Sequence, residues 1–505
     1  MSPLRNLGDI VRWHGPSERE AIVDLHAGGQ RWTFGQIDER AAAIARGLVQ
    51  RGFAPAARLA ILAANSADFV ATYLGIMRAG FSAVPINYRL PRETVEYILQ
   101  DCAASAVFVD AAHRHLLSTG HAYFELDGAG PNSTARLLEP GDAVSTTPEP
   151  TAIAEILYTS GSTGRPKGVP LSHAGQLWAL GVHVAPQPLV DDCTLIVAPL
   201  YHMNAIFNVS LALANQVRTV LMPKFDARRY LEAVAEYRCT MLSGIPTMFA
   251  MMARELDRTH ARTFDSVKRI SIGSAPLTEA LIERVRRIFP NAHIRNGYGT
   301  TEAGPSIFGE HPAGLARPTL ALGHPLPEVS CRLVGGPSQD EGVLEVRTPA
   351  LLAGYLNLPD VTAQRLRDGW YTTGDLMRRD AQGFFYFVGR DDDMFVCGGE
   401  NIYPGEVEKM LERHPGVLQA AVVAVPDDIK GQIPIAFVVP ARRAAPSPAE
   451  LKAFALREGP AYSHPRAFVM IDELPLAGTH KVDKKPLLER ALALTANLGR
   501  DVLTG

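Results

Sequence analysis

The stretch Tyr158-Thr-Ser-Gly-Ser-Thr-Gly-Arg-Pro-Lys-Gly168 follows directly on the apolar run Ala154 to Tyr158. A run of that length before turn residues reads as a buried strand. The ten residues from Thr159 to Gly168 then supply three glycines, four hydroxyls and one lysine. Glycines let backbone N–H groups turn inward and approach an anion closely. Hydroxyls donate to phosphate oxygens, and Lys167 adds a charge-assisted contact. On this chemistry Thr159, Ser160, Gly161, Ser162, Thr163, Gly164 and Lys167 form a loop suited to a polyphosphate. It is not the P-loop of ATPases and GTPases, which needs Gly-Lys-[Ser/Thr]: here Arg165 and Pro166 separate Gly164 from Lys167.

Outward from the loop, helical and strand patterns alternate. Upstream, Phe34 to Arg51 places Ile37, Ala41, Ile44 and Leu48 on one helical face. The runs Leu59 to Leu62, Ser82 to Pro85 and Ser105 to Val109 read as buried strands, with helices over Ala67 to Ala79 and Glu93 to Asp101 between them. Downstream, strands near Leu195, Thr219 and Met241 alternate with helices over Tyr230 to Tyr237, Pro246 to Asp257 and Thr278 to Ile288. Apolar strands separated by helices predict parallel sheets covered on both faces. Beyond about residue 320 the turns crowd together and strands such as Val343 to Val346 look hairpin-like. After the acidic triplet Asp391 to Asp393 a separate α+β pattern begins. The expectation is an α/β chain: a large N-terminal domain (1–391) of mostly parallel sheets with helices plus a β-rich subdomain, and a small mobile α+β C-terminal domain (392–505).

The chain has 505 residues, enough for two to four domains or subdomains at about 100–200 residues each. Hydrophobic residues make up 47% and charged residues 20%, with a net charge of −3, so no general affinity for nucleic acid is expected. Arg284 to Arg287 read as the solvated face of a helix. The five cysteines are scattered without a CxxC pair, which fits reduced thiols and a cytoplasmic protein. No apolar run is long enough to span a bilayer. The segments MSPLRNLGDIVRWHG and RDVLTG read as neither a secretory signal nor a lipidation or peroxisomal tag, so none is expected.

Four further segments stand in order after the loop: Tyr298-Gly-Thr-Thr-Glu302, Trp370-Tyr-Thr-Thr-Gly-Asp375, Gly389-Arg-Asp-Asp-Asp393 and Lys481 within HKVDKKPL. With them the chain, from Phe34 to Leu488, resembles the adenylate-forming superfamily of acyl- and aryl-CoA synthetases, peptide-synthetase adenylation domains and beetle luciferases. The resemblance implies ATP, Mg²⁺ and coenzyme A as cofactors or co-substrates. It implies Lys481, Glu302, Thr301 and His202 as catalytic residues, with Glu302 the ligand of Mg²⁺, whose preference is for hard oxygen. Nucleotide contacts would come from Gly273, Ser274, Ala275, Asn296, Tyr298, Gly299, Thr300, Asp375 and Arg390. Tyr298 can stack on adenine, and Asp375 can accept from the ribose hydroxyls with Arg390 assisting. Asp392 would be the hinge. Gly398 and Gly399 would enter the site for thioester formation. Lys481 would bridge the acid carboxylate and the α-phosphate. One departure is His480, where the family pattern has glycine; Lys484 and Lys485 beside it make an exposed basic turn the competing reading.

Within that superfamily the segment His202-Met-Asn-Ala205 lacks the acid expected to pair an α-amino group, which disfavours an amino-acid substrate. An acid–CoA ligase is the leading expectation. An acyl-AMP ligase that feeds a carrier protein is the alternative, and a non-catalytic nucleotide-binding homologue would be expected to lack Lys481 or Glu302. Met203, Asn204, Phe207, Met248, Gly273, Ser274 and the stretch after Glu302 form a mostly apolar lining. That lining suits an aromatic or short-to-medium aliphatic acid. The expected partner is a small-molecule carboxylic acid, and the assembly entertained is a homodimer; no nucleic acid and no membrane span are expected.

Overall fold

The computed structural model describes residues 4–15, 17–138, 140–142, 144–159, 165–259, 263–275, 277–391, 393–427, 429–441, 445–477 and 481–497. Two sheets of mostly parallel strands form the N-terminal part. The first runs, in spatial order, His293–Gly297, Arg269–Gly273, Met241–Gly244, Cys193–Ile196, Arg218–Leu221, Glu20–Asp24 and Gln30–Thr33. All neighbours are parallel except the last pair. The second runs Tyr123–Glu125, Ala106–Val109, Arg58–Leu62, Ser82–Pro85, Ile153–Thr159 and Lys167–Ser172, again with only the last pair antiparallel.

Helices fill the space between and outside these sheets. Phe34–Gln50 starts at a reciprocal cap, in which Thr33 Oγ1 accepts from Gln36 N and the Gln36 side chain accepts from Thr33 N. It buries the predicted face of Ile37, Ala41, Ile44 and Leu48, each worth about 1–3 kcal/mol against exposure for the larger side chains. Ala67–Arg78 is buried almost all round, which only an internal helix allows. It carries a charge that its apolar pattern did not announce: Arg78 is fully buried, donating to the carbonyls of Gly8 at 2.7 Å and Asp38 at 2.8 Å and pairing with the Asp9 and Asp38 carboxylates. Such a charge is tolerated inside only because partners surround it.

The β-rich part is an antiparallel sheet built on Ser330–Ser338, Glu341–Arg347 and Trp370–Arg379, with Leu366–Arg367 and Phe385–Arg390 paired to the last of these. The C-terminal part has its own core, centred on Val417–Asp427 and Gly431–Pro440, which pair antiparallel. Ala467–Met470 joins them in parallel. Helices Pro404–Glu412, Pro448–Glu458 and Lys484–Asn497 accompany this sheet. Lys484 and Lys485 therefore open a helix rather than an exposed basic turn, and Lys484 Nζ lies 2.8 Å from Glu408 Oε1. Val482, Leu487 and Ala491 anchor the segment on the C-terminal core, which overrides its basic composition.

The two parts dock through polar contacts. Lys409 Nζ donates to Phe387 O at 2.9 Å, Arg284 Nη2 to Val417 O at 3.1 Å and Arg254 Nη1 to Asp472 O at 3.2 Å. Arg286 and Arg287 are exposed as expected of a solvated face, but Arg284 is half-buried and spent on this junction. Asp392, the expected hinge, lies outside the described residues.

Candidate functional site

The phosphate-type loop closes a hairpin. Ile153–Thr159 and Lys167–Ser172 pair antiparallel, with Tyr158 opposite Gly168 and Thr159 opposite Lys167. The return strand was not legible in the Gly/Ser/Pro composition. Ser160, Gly161, Ser162, Thr163 and Gly164 lie outside the described residues. At the loop's base, Thr159 Oγ1 is buried with no hydrogen-bond partner among the described residues. The Lys167 ammonium lies 5.1 Å over the ring of Tyr355. Leu356 N donates to Gly168 O at 2.9 Å, tying the 350s segment to the hairpin.

Tyr355 also reaches Glu302. Its hydroxyl donates to Glu302 Oε1 at 3.0 Å and lies 3.3 Å from the Tyr371 hydroxyl. Burial, then the nearby Glu302 carboxylate, raise both phenols above their ordinary range, so both remain protonated donors. The Glu302 backbone is held too, its carbonyl accepting from Leu352 N at 2.8 Å. The turn that presents it is tight. Thr300 and Gly304 exchange backbone hydrogen bonds at 3.0 and 2.9 Å, and Thr300 Oγ1 accepts from Ala303 N at 3.0 Å. A Cβ at Gly299 would stand 2.3 Å from Pro305 O, so a side chain there would break the turn. Thr301 is half-buried within it.

Asp375 gathers three segments. Tyr298 Oη donates to its Oδ2, Arg390 Nη1 to its Oδ1 at 3.0 Å, and its backbone N donates to Thr373 Oγ1 at 3.0 Å. Desolvation, then the Asp375 charge, push the Tyr298 phenol well above the ordinary range, which keeps it a donor. Lys481, from the C-terminal part, lies within electrostatic range of this cluster. It keeps solvent-accessible surface, yet loss of water lowers its ammonium pKa; the Asp375 carboxylate opposes that lowering and the Arg390 guanidinium adds to it. Its position is held by a small hairpin: Ala477 N donates to Lys481 O at 2.8 Å, Asp483 N donates to Pro475 O at 2.8 Å, and Leu476 bridges Val482. Gly478, Thr479 and His480 are outside the described residues.

The remaining expected residues are less uniform. Gly273 ends a strand so close to its neighbour that a Cβ would meet Gly297 O at 2.5 Å. Ser274 follows in the left-handed region at φ 63°, its Oγ 3.5 Å from Asn204 Nδ2, with half-buried Ala275 next. Asn296 is spent on structure, Nδ2 donating to Leu320 O at 2.8 Å. His202 caps the helix Met203–Ala214 with its backbone, and its ring stands edge-on to Tyr201 at 4.5 Å. Gly398 and Gly399, at φ 61° and 91°, form the exposed tip of the Phe395–Cys397/Glu400–Ile402 hairpin, where a Cβ at Gly399 would meet nothing within 4 Å. The C-terminal part thus brings Lys481 within electrostatic reach of Asp375 and Arg390. Tyr355, Tyr371 and Thr373 were not singled out from the sequence. Tyr371 and Thr373 sit inside the WYTTGD stretch, so proximity was a signal for them; nothing local marks Tyr355.

Among the described residues no group of three His, Cys, Asp or Glu could hold a metal ion. Glu302 offers a carboxylate held by Tyr355, whose ring also carries the Lys167 ammonium, and that donor fits a hard cation which takes one or two protein carboxylates and completes its shell with phosphate oxygens and water. No helix among the described residues is long and apolar enough to cross a membrane.

Comparison with known proteins adds three findings. Residues 11–356 match the model of an AMP-binding enzyme, and residues 406–481 that of an AMP-binding enzyme C-terminal domain. A feruloyl-CoA synthase of Amycolatopsis sp is 33% identical over 94% of this chain and 97% of its own, and the fatty acid–[acyl-carrier-protein] ligase ScoC of Streptomyces coeruleorubidus is 31% identical over 96% of each. The crystal structure of ATP-bound MatB from Rhodopseudomonas palustris superimposes with a TM-score of 0.84 at 27% identity, over 96% of this chain and 99% of that one.

Proposed function

The chain belongs to the AMP-binding enzyme family and is an AMP-forming acid–thiol ligase, and from that premise we propose that it joins an aromatic or short-to-medium-chain carboxylic acid to coenzyme A through an acyl-AMP. The observation that carries the reading is Lys481. From the C-terminal part it comes within electrostatic range of Asp375 and Arg390, which supports a site shared between the two parts.

The residues divide the work by charge. The Asp375 carboxylate orients the ribose, and Tyr298, whose hydroxyl it accepts from, offers a ring face to adenine. The loop from Thr159 to Lys167 grips the β- and γ-phosphates. Glu302, oriented by Tyr355, is the carboxylate that would hold Mg²⁺, which when bound neutralises charge on the phosphate oxygens. An acid carboxylate oxygen attacks the α-phosphorus in line, the bond to the bridging oxygen breaks, and pyrophosphate leaves. Lys481 stabilises the negative charge that develops on the α-phosphate and the acid. Positioning supplies most of the remaining gain. For the second step the C-terminal domain, from about residue 392, rotates. Lys481 withdraws, the Gly398–Gly399 tip enters, and the thiol sulfur of coenzyme A attacks the acyl carbon and expels AMP.

The feruloyl-CoA synthase relative supports an aromatic acid. The carrier-protein ligase relative keeps a second acceptor in view. Pyrophosphate release with benzoate, cinnamate, hexanoate and malonate tests the acid class, and coenzyme A against a phosphopantetheinylated carrier protein tests the acceptor. Turnover with benzoate, cinnamate or hexanoate and with coenzyme A is expected. Reaction of malonate alone overturns the acid class, and turnover with the carrier alone overturns the acceptor.

A further inference from the structure

Two cysteines 46 positions apart in sequence meet far from the nucleotide motifs. Cys193 opens the strand Cys193–Ile196, whose far end leads toward His202, and Cys239 precedes the strand Met241–Gly244, whose far end leads into the helix Pro246–Thr259. Their sulfurs are 3.9 Å apart, and both residues are buried. The backbone between them is clamped: Thr240 N donates to Cys193 O at 2.8 Å, and Cys193 N to Thr240 Oγ1 at 3.0 Å. We propose that Cys193 and Cys239 form an oxidisable dithiol, with Cys193 the sulfur that attacks a hydroperoxide and Cys239 the thiol that resolves the product.

Asymmetry between the sulfurs assigns the roles. Arg218, on the neighbouring strand, places Nε 3.4 Å from Cys193 Sγ. That guanidinium cannot swing away easily, because Nη2 donates to Tyr237 O at 2.7 Å and Nη1 lies 3.5 Å from Glu20 Oε1. Cys239 lies deeper, among the apolar residues around Tyr230 and Val234, with Ala233 O 4.0 Å from its sulfur. The sulfur–sulfur contact with Cys239, with Arg218 helping, lowers the Cys193 thiol; the same contact, together with burial, raises Cys239. Burial pushes the Cys102 and Cys331 thiols up to about 12 each, at Cys102 against the lowering influence of Arg58, whose guanidinium donates to the Cys102 carbonyl at 3.0 Å. Cys193 lines a cavity of about 450 Å³ with Arg218, Arg238, Thr240 and Lys268, and a small uncharged oxidant fits it.

The chemistry balances without help from the active site. The Cys193 thiolate attacks one peroxide oxygen, the O–O bond breaks, and hydroxide leaves to take up a proton, giving a sulfenic acid. Cys239 sulfur then attacks Cys193 sulfur, its proton passes to the departing hydroxyl, and water leaves as the S–S bond forms. Two thiols are oxidised and one peroxide is reduced to two waters. The sulfurs must close from 3.9 Å to about 2.05 Å, which side-chain rotation supplies between neighbouring strands.

The test exposes the folded 505-residue chain to hydrogen peroxide and maps it by mass with and without a reductant. The expected product has lost two hydrogens and yields a peptide linking Cys193 to Cys239. Cys239→Ser should stop at one added oxygen on Cys193, trapped by dimedone. Cys193→Ser and Cys193→Ala, checked by thermal unfolding, should leave Cys239 unreacted over the same exposure. Arg218→Gln should slow thiol loss about tenfold. Oxygen added without the link, earlier reaction at Cys102, Cys331 or Cys397, or an unchanged rate in Cys193→Ala would each overturn the proposal.

Discussion

Tyr355 holds Glu302 in place: its hydroxyl donates to Glu302 Oε1 at 3.0 Å, while the ammonium of Lys167 lies 5.1 Å over the same ring. One side chain thus sets the spacing between the lysine of the phosphate-type loop and the carboxylate of the YGTTE turn. Those two residues are distant in sequence, and neither position requires the other. The ring of Tyr355 supplies the fixed wall between them.

Tyr355→Phe keeps that wall and removes the donor. The expected outcome is a Mg²⁺ requirement for pyrophosphate release raised about 10–100-fold, as for other groups that orient a metal-binding carboxylate. A Mg²⁺ titration identical to that of the wild type would count against the role of Glu302 as well as that of Tyr355.

Lys481→Ala removes the charge that the C-terminal part brings to Asp375 and Arg390. Acyl-AMP formation should fall about 10²–10³-fold, the loss typical of one transition-state charge contact. Thioester formation from supplied acyl-AMP should be largely kept. The two half-reactions are measured separately, and an equal loss in both would remove the assignment.

Asp375→Ala leaves Tyr298 and Arg390 without their shared acceptor. The KM for ATP should rise about 10–100-fold, since a hydrogen bond to a charged group is worth about 1.5–3 kcal/mol. The KM for the acid should stay near the wild-type value. A parallel rise in both constants would point to general distortion of the site, and the thermal midpoint reports that independently.

Glu155 lies on the strand that feeds the phosphate-type loop and is buried, accepting from Tyr73 Oη at 3.0 Å. Burial raises its carboxyl to about 7, against the Tyr73 hydrogen bond that lowers it. Above an unfolded value near 4.5 the unfolded chain has released this proton while the folded chain keeps it. Stability therefore falls as pH rises from about 4.5 to about 7 and then levels off. Glu155→Gln keeps an acceptor for Tyr73 and removes the titration. Its advantage over the wild type should grow by something on the order of 3 kcal/mol between about pH 5 and about pH 8. Thermal midpoints of both proteins at the two pH values decide it, and a constant gap would show that Glu155 does not titrate in this window.

Local pattern carried a large share of the architecture. The helix Phe34–Gln50 was legible because its cap and its apolar face are written within one segment, and the parallel strands because short apolar runs alternate with helices. The final helix Lys484–Asn497 was not, because its anchors at Leu487 and Ala491 take effect only against strands some 50 or more residues earlier. The return strand Lys167–Ser172 was hidden for a similar reason: its pairing partner, not its composition, makes it a strand.

The sequence by itself determined the chemistry: a Gly/Ser/Thr loop ending in Lys167, a turn bearing Glu302, Asp375 before Arg390, and Lys481 near the end, in an order that identifies the family. Tertiary structure alone decided which of these meet. It joined Tyr298, Asp375 and Arg390 in one cluster, brought Lys481 to it from a separate core, set Tyr355 between Lys167 and Glu302, spent Asn296 on a carbonyl, buried Arg78 and put Cys193 beside Cys239. The physical reason is range. Periodicity and turn chemistry act over a few residues and are written in the chain, whereas contacts across tens to hundreds of residues exist only once sheets and helices have packed and fixed which side chains share a volume.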